Sequence, residues 1–155
     1  MKATIYLRIA SVLTLVHAIL HTVGGVFGKP LPGPATVAVE AMQSNQFMWL
    51  GHMRTYFGFY RGMGLALTIS LTIDAVAFWT LASLVKRDGR RLRPVLAVFL
   101  AGYLIMSVNS YTYFFSGPVI AEILIAACVG MAMATAKETA ESLTHAASGT
   151  ALSAG

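Results

Sequence analysis

Four long apolar stretches dominate the chain: Ile9–Phe27, Gly62–Leu84, Val95–Ser116 and Pro118–Ala136. Each has about the ~20 residues that a helix rising ~1.5 Å per residue needs to cross a ~30 Å hydrocarbon core. Their apolar residues run on instead of alternating, which excludes the period-2 signature of a transmembrane barrel. Inside hydrocarbon each segment must then satisfy its own backbone hydrogen bonds, so the pattern predicts helices at about 9–27, 59–84, 95–116 and 118–136. Met1 to Arg8 and the apolar run behind it resemble the start of a secretory signal. His17 and His21 interrupt that run, however, and no small-x-small cleavage site follows, so the segment is read as the first membrane helix.

Composition agrees with this pattern. At 155 residues, 57% hydrophobic and 11% charged, the chain has too few polar groups to cover a soluble globule of its size. The net charge of +5 would suit a nucleic-acid partner, but its strongest cluster, Lys86, Arg87, Arg90, Arg91 and Arg93, is a short run between two apolar segments. In that position basic residues mark the cytoplasmic face of a membrane, and no nucleic-acid partner is expected. Lys2, Arg8 and Lys137 belong to the same side, opposite Lys29, Arg54 and Arg61, which places both chain ends in the cytoplasm. The lone Cys128 allows neither an intrachain disulfide nor a Cys-rich metal cage; neither a metal nor a cofactor is expected.

The connections are unequal. Ser116-Gly117-Pro118 is a minimal turn, which makes the third and fourth helices antiparallel neighbours. The outer connection from Gly28 to Thr55 is long, opens on the breaker-rich Lys29-Pro30-Leu31-Pro32-Gly33-Pro34, and continues into a short helix expected over Ala35 to Leu50. Phe47, Met48 and Trp49 at its end suit the membrane interface. The fold class expected is therefore all-α: an integral membrane four-helix bundle over 1–137, N-in and C-in, with a short interfacial helix in the long outer connection and a disordered tail over 138–155. The expected location is the bacterial inner membrane, with the lipid bilayer as partner; a homo-oligomer is compatible with the sequence.

Polar groups inside the spans are the candidates for chemistry, because they are costly in hydrocarbon and normally face the bundle interior or a wet cavity. His17 and His21 share one face of the first helix, Tyr60 and Arg61 start the second, Asn109 and Tyr113 come late in the third, and Glu122 lies in the first turn of the fourth. By direction of travel His17 falls near the middle of its helix and the others in the outer half. The catalytic candidates are Glu122, His21 and Arg61; the ligand-binding candidates are His17, Asn109, Tyr60, Tyr113 and Trp49. Competing structural uses exist for each: helix-to-helix glue for the histidines, a structural ion pair for Arg61 and Glu122, an interfacial belt for the tyrosines. Asp74, in the inner half, is expected to pair with Arg8. The glycine pairs Gly24/Gly28 and Gly58/Gly62 are expected to let the first two helices approach closely.

His21-Thr22-Val23-Gly24-Gly25, Phe59-Tyr60-Arg61-Gly62-Met63-Gly64 and Tyr113-Phe114-Phe115 with Pro118-Val119-Ile120 resemble, in order and spacing, a family of small, uncharacterised four-helix bacterial integral membrane proteins. The resemblance implies the four-helix fold and supplies no activity. A second likeness, of architecture alone, is to the emopamil-binding and sigma-2 receptor group, small helical bundles enclosing acidic residues and an apolar ligand cavity.

The function expected from the residues is binding of an apolar or amphipathic small molecule in an outer-half cavity, with isomerisation or cyclisation by acid-base chemistry. Glu122 would donate a proton, His21 would shuttle it, and Arg61 with Asn109 would orient the ligand's polar end. The alternatives are a non-catalytic accessory or assembly subunit and, less favoured, a haem-binding protein using His17 or His21, whose second axial ligand would have to come from His52 in the outer connection or across a dimer axis. Neither a phosphate-cradling Gly-Lys-Ser loop nor a His-Glu-x-x-His helix is present.

Overall fold

The computed structural model describes residues 2–136; the expectation for 138–155 lies outside the described residues. The first helix, α1 (Lys2–Leu20), continues into a π-helical stretch over His21–Val26. Helix α2 (Pro34–Ser44) opens on Pro34, behind Gly33 at φ 106°, a backbone angle that L side chains rarely adopt. A hairpin follows, with β1 (Gln46–Trp49) antiparallel to β2 (His52–Thr55) and Trp49 opposite His52. The long α3 (Tyr56–Leu84), α4 (Arg93–Tyr113) and α5 (Ser116–Thr135) complete the order. Among the described residues, four helical segments, α1 with its π extension, α3, α4 and α5, are long and apolar enough to cross a membrane.

Three boundaries differ from the sequence reading, each for a local reason. The first helix begins near the N-terminus because Ala3, Thr4, Leu7, Ala10, Ser11 and Thr14 recur at helical spacing and are buried. The short helix stops at Ser44, where the Asn45 backbone N–H and side-chain amide both bond the Ala41 carbonyl, and the rest of the expected helix forms the hairpin. Its two-residue turn, Leu50-Gly51, has φ 49° and 81°, the positive values that close a tight hairpin. Between α4 and α5 the break falls at Phe114-Phe115, and Pro118 sits in the first turn of α5, where no intrahelical N–H is missed.

Contacts gather into two compact units, Met1–Leu15 with Asp74–Gly155, and Val16–Ile73. The first is built on Leu7, Phe78, Leu81, Leu96, Tyr103, Ile125 and Val129, with alanines 3, 10, 82, 126 and 132 letting the helix backbones close up. Phe78 tilts against Phe99 and Tyr103 at centroid distances of 4.9 and 5.9 Å. Arg93 donates to the Ala136 carbonyl at 2.9 Å, a cation at the C-terminal end of α5, where it meets the negative pole of the helix.

In the second unit, a Cβ on Gly64 would come within 2.9 Å of Val26 Cγ2, so Gly64 is where the chain segments press together. Neither Gly24 nor Gly62 has a neighbour at that range, while Gly28 is required locally because a Cβ there would collide with the Gly24 carbonyl. The close approach therefore runs through a glycine outside both expected pairs. Phe47 of β1 stacks against Tyr56 and Phe59, with centroids 4.8 and 5.6 Å away, which holds the hairpin to the start of α3.

Candidate functional site

In the first unit the intramembrane polar groups converge on two carboxyls. Tyr103, 2% exposed, donates its phenolic hydrogen to Asp74 Oδ2 at 3.0 Å, and the Thr14 hydroxyl of α1 approaches the same phenol. Ser110 donates to Glu122 Oε1 at 2.9 Å. Glu122 is only 2% exposed, and its other oxygen, Oε2, is buried with no hydrogen-bond partner. Among the described residues of this unit, no cation is paired with either carboxyl.

The α4 face that carries this chemistry is set by helical spacing. Tyr103, Ser107 and Ser110, at i, i+4 and i+7, are all buried, while Asn109 is exposed. One residue along a helix turns the side chain by about 100°, so Ser110 meets Glu122 and its neighbour Asn109 does not. Tyr113 is also exposed. Three further hydroxyls end on backbone carbonyls: Ser11 bonds the Ala75 carbonyl of α3 at 2.7 Å, Thr14 the Ala10 carbonyl at 2.8 Å, and Ser107 the Leu104 carbonyl at 2.8 Å.

The expected Arg8–Asp74 ion pair is corrected. Arg8 lies over the Trp79 ring, 5.1 Å from its centroid, and Asp74 takes its hydrogen bond from Tyr103. A guanidinium on an indole keeps its charge among polarisable partners without having to meet a carboxylate in hydrocarbon. The reading by charge alone had no way to find Tyr103; its spacing from Ser107 and Ser110 was the available signal.

His17, His21, Tyr60, Arg61 and Trp49 belong to the second unit. His21 Nε2 lies 3.0 Å from the Gly64 carbonyl, which only accepts, so that nitrogen carries a hydrogen. His17 is buried with no partner for Nδ1. The Arg61 guanidinium sits over Phe27 and Phe57, 4.7 and 5.6 Å from their centroids, with its buried Nε unpartnered. Thr22 and Thr68 share a hydroxyl hydrogen bond of 2.9 Å, and Thr22 also donates to the Ala18 carbonyl where the π-helical stretch begins. Tyr60 and Trp49 are exposed.

Buried polar atoms in folded proteins are nearly always paired, so an orphan on an ionisable group calls for a chemical account. Glu122 is the strongest case because both its burial and its missing partner belong to a carboxyl that can gain or lose a proton. No family model matches the chain, and neither a curated protein nor a solved structure matches it, so function is argued from these residues alone.

Proposed function

We propose that this chain is a multi-pass protein of the bacterial inner membrane that binds a small apolar or amphipathic molecule and exchanges a proton with it through Glu122. The observation that carries the reading is the single free oxygen of Glu122, held in place by the Ser110 hydrogen bond to the other oxygen. A carboxylate left in hydrocarbon without a cation costs several kcal/mol, so the resting group keeps its proton and has it available for a bound molecule. Proton donation to an alkene or enol, followed by loss of a proton elsewhere, isomerises or cyclises such a molecule without any other reagent. His21 and Arg61 are assigned to the second unit's own ligand contacts, His21 through the ring nitrogen not bonded to Gly64 and Arg61 through the free Nε.

The topology in this proposal has both ends in the cytoplasm, on the basis of Lys2, Arg8, the Lys86–Arg93 cluster and Lys137. Helix α2, which buries none of its residues, and the hairpin tip, where Trp49 and Leu50 are 64% and 86% exposed, lie along the outer membrane surface. The test is to purify the protein in mild detergent and examine it by mass spectrometry and absorption. A bound lipid-like molecule that is lost from a folded, monodisperse Glu122→Gln supports the reading. A Soret band, or an empty protein that travels with a partner subunit, overturns it.

A further inference from the structure

We infer that Arg61, set against Phe27 and Phe57, is the binding site for a singly charged phosphodiester, the group that a phospholipid carries in its head. The inference rests on the assignment of Arg61 to a ligand contact of the second unit and names the charged group of that ligand; it does not depend on proton exchange at Glu122.

The guanidinium has aromatic neighbours and no oxygen. Its central carbon lies 4.7 Å from the Phe27 centroid and 5.6 Å from that of Phe57. The ring faces attract the charge but offer no oxygen to the N–H groups. Among the described residues no acceptor meets the guanidinium, and in a side chain that is half-buried Nε is the enclosed nitrogen without one. Arginine stays protonated at any pH a cell meets, so loss of a proton does not relieve the shortage as it does for a carboxyl. Charge balance favours an anion over water as the missing acceptor. Between Val16 and Ile73 the cations Lys29, Arg54 and Arg61 are matched by a single acid, Glu40, which forms no ion pair among the described residues.

Depth selects the phosphate. Helix α3 has 29 residues, about 43 Å at ~1.5 Å per residue, and overshoots a ~30 Å hydrocarbon core by about 13 Å. Shared between the two ends, the overshoot brings Arg61, in the second turn after Tyr56, to the edge of the hydrocarbon, where phosphate is the resident anion. Tyr56 and Tyr60, both exposed, are amphipathic rings of the kind found at that level. A phosphodiester carries one negative charge, the complement of one guanidinium. Its two unesterified oxygens match the side-on pair of N–H groups, Nε with one terminal nitrogen, and so give the enclosed Nε its acceptor.

The experiment is native mass spectrometry of the full chain released from mild detergent, titrated with dioleoylphosphatidylglycerol, whose phosphodiester is its one charge, and read as the dissociation constant of the first lipid bound. Arg61→Gln, which loses the charge and the fork, is expected to weaken that step by about a hundredfold; Arg61→Lys, which keeps the charge and loses one of two charged hydrogen bonds, by about tenfold. Arg54→Gln removes the same charge from the exposed hairpin and is expected to change the constant by less than about twofold. Diethyl phosphate is the soluble competitor: displacement of the lipid at equal concentration assigns the site to free phosphodiesters, and no displacement assigns it to the lipid. An Arg61→Gln protein that binds at the unmodified strength, or an Arg54→Gln protein that loses as much, overturns the site. If Arg61→Gln does not fold, Arg61→Lys decides alone, and unmodified binding in it overturns the site. Loss of the lipid in the Arg61 variants, with the co-purified molecule retained by Glu122→Gln, leaves the phosphodiester site standing and removes the proton-exchange reading; the reverse pattern removes the site and leaves that reading intact.

Discussion

Ser110→Ala isolates the contact on which the candidate site depends. The Ser110 hydroxyl, 4% exposed, donates 2.9 Å to an oxygen of Glu122, which is itself 2% exposed and already has one unpartnered oxygen. Removing the hydroxyl forfeits the net value of a hydrogen bond, about 1 kcal/mol, and leaves a second buried acceptor unsatisfied at about 1–3 kcal/mol, so a loss of roughly 2–4 kcal/mol is expected. The volume change is one oxygen atom, too small to add a large cavity cost. Unfolding by a denaturing detergent titrated into bicelles measures the difference. Asn109→Ala, one residue away and exposed, is the matched control and is expected to stay within about 0.5 kcal/mol of the parent. The two changes also separate geometry from depth, since both residues lie at nearly the same level of α4. If Asn109→Ala costs more than Ser110→Ala, the buried face of α4 has been assigned wrongly and the reasoning fails.

Further outcomes follow from the same contacts. A double-mutant cycle over Asp74→Ala and Tyr103→Phe is expected to show a coupling of about 0.5–1.5 kcal/mol, and the cycle over Arg8→Ala and Asp74→Ala none; coupling in the second would restore the ion pair. Gly64→Ala is expected to destabilise by about 1–3 kcal/mol through its clash with Val26, and Val26→Ala to recover part of that loss; an unchanged Gly64→Ala protein would refute the close approach. A topology reporter near Gly89 or after Lys137 is expected to read cytoplasm and one near Gly33 the outside, and reversed signals would overturn the orientation.

The spans were legible in the sequence because hydrocarbon leaves the backbone a single economical solution, and length with apolarity then suffices to locate it. Their faces were less legible. Continuous apolar runs carry almost no periodic signal, so the i, i+4, i+7 spacing of Tyr103, Ser107 and Ser110 was the one sign that set Ser110 apart from Asn109. Charge pairing was a poor guide for the same reason: Arg8 and Asp74 were matched by sign and depth, yet aromatic and hydroxyl partners satisfied them separately. Glu122 was legible as a candidate because a carboxyl in a membrane helix is rare and costly. The hairpin was missed because Leu50 occupies a positive-φ turn position where asparagine or glycine would have announced it.

The most direct test of proton exchange at Glu122 uses the solvent as label. The protein, with whatever small molecule co-purifies in mild detergent, is incubated in heavy water, and the molecule is extracted and weighed by mass spectrometry. Deuterium at a non-exchangeable carbon position in the molecule from the unmodified protein, and its absence after incubation with Glu122→Gln, is the predicted result. A molecule that takes up no deuterium, or takes up as much with Glu122→Gln, would contradict the account.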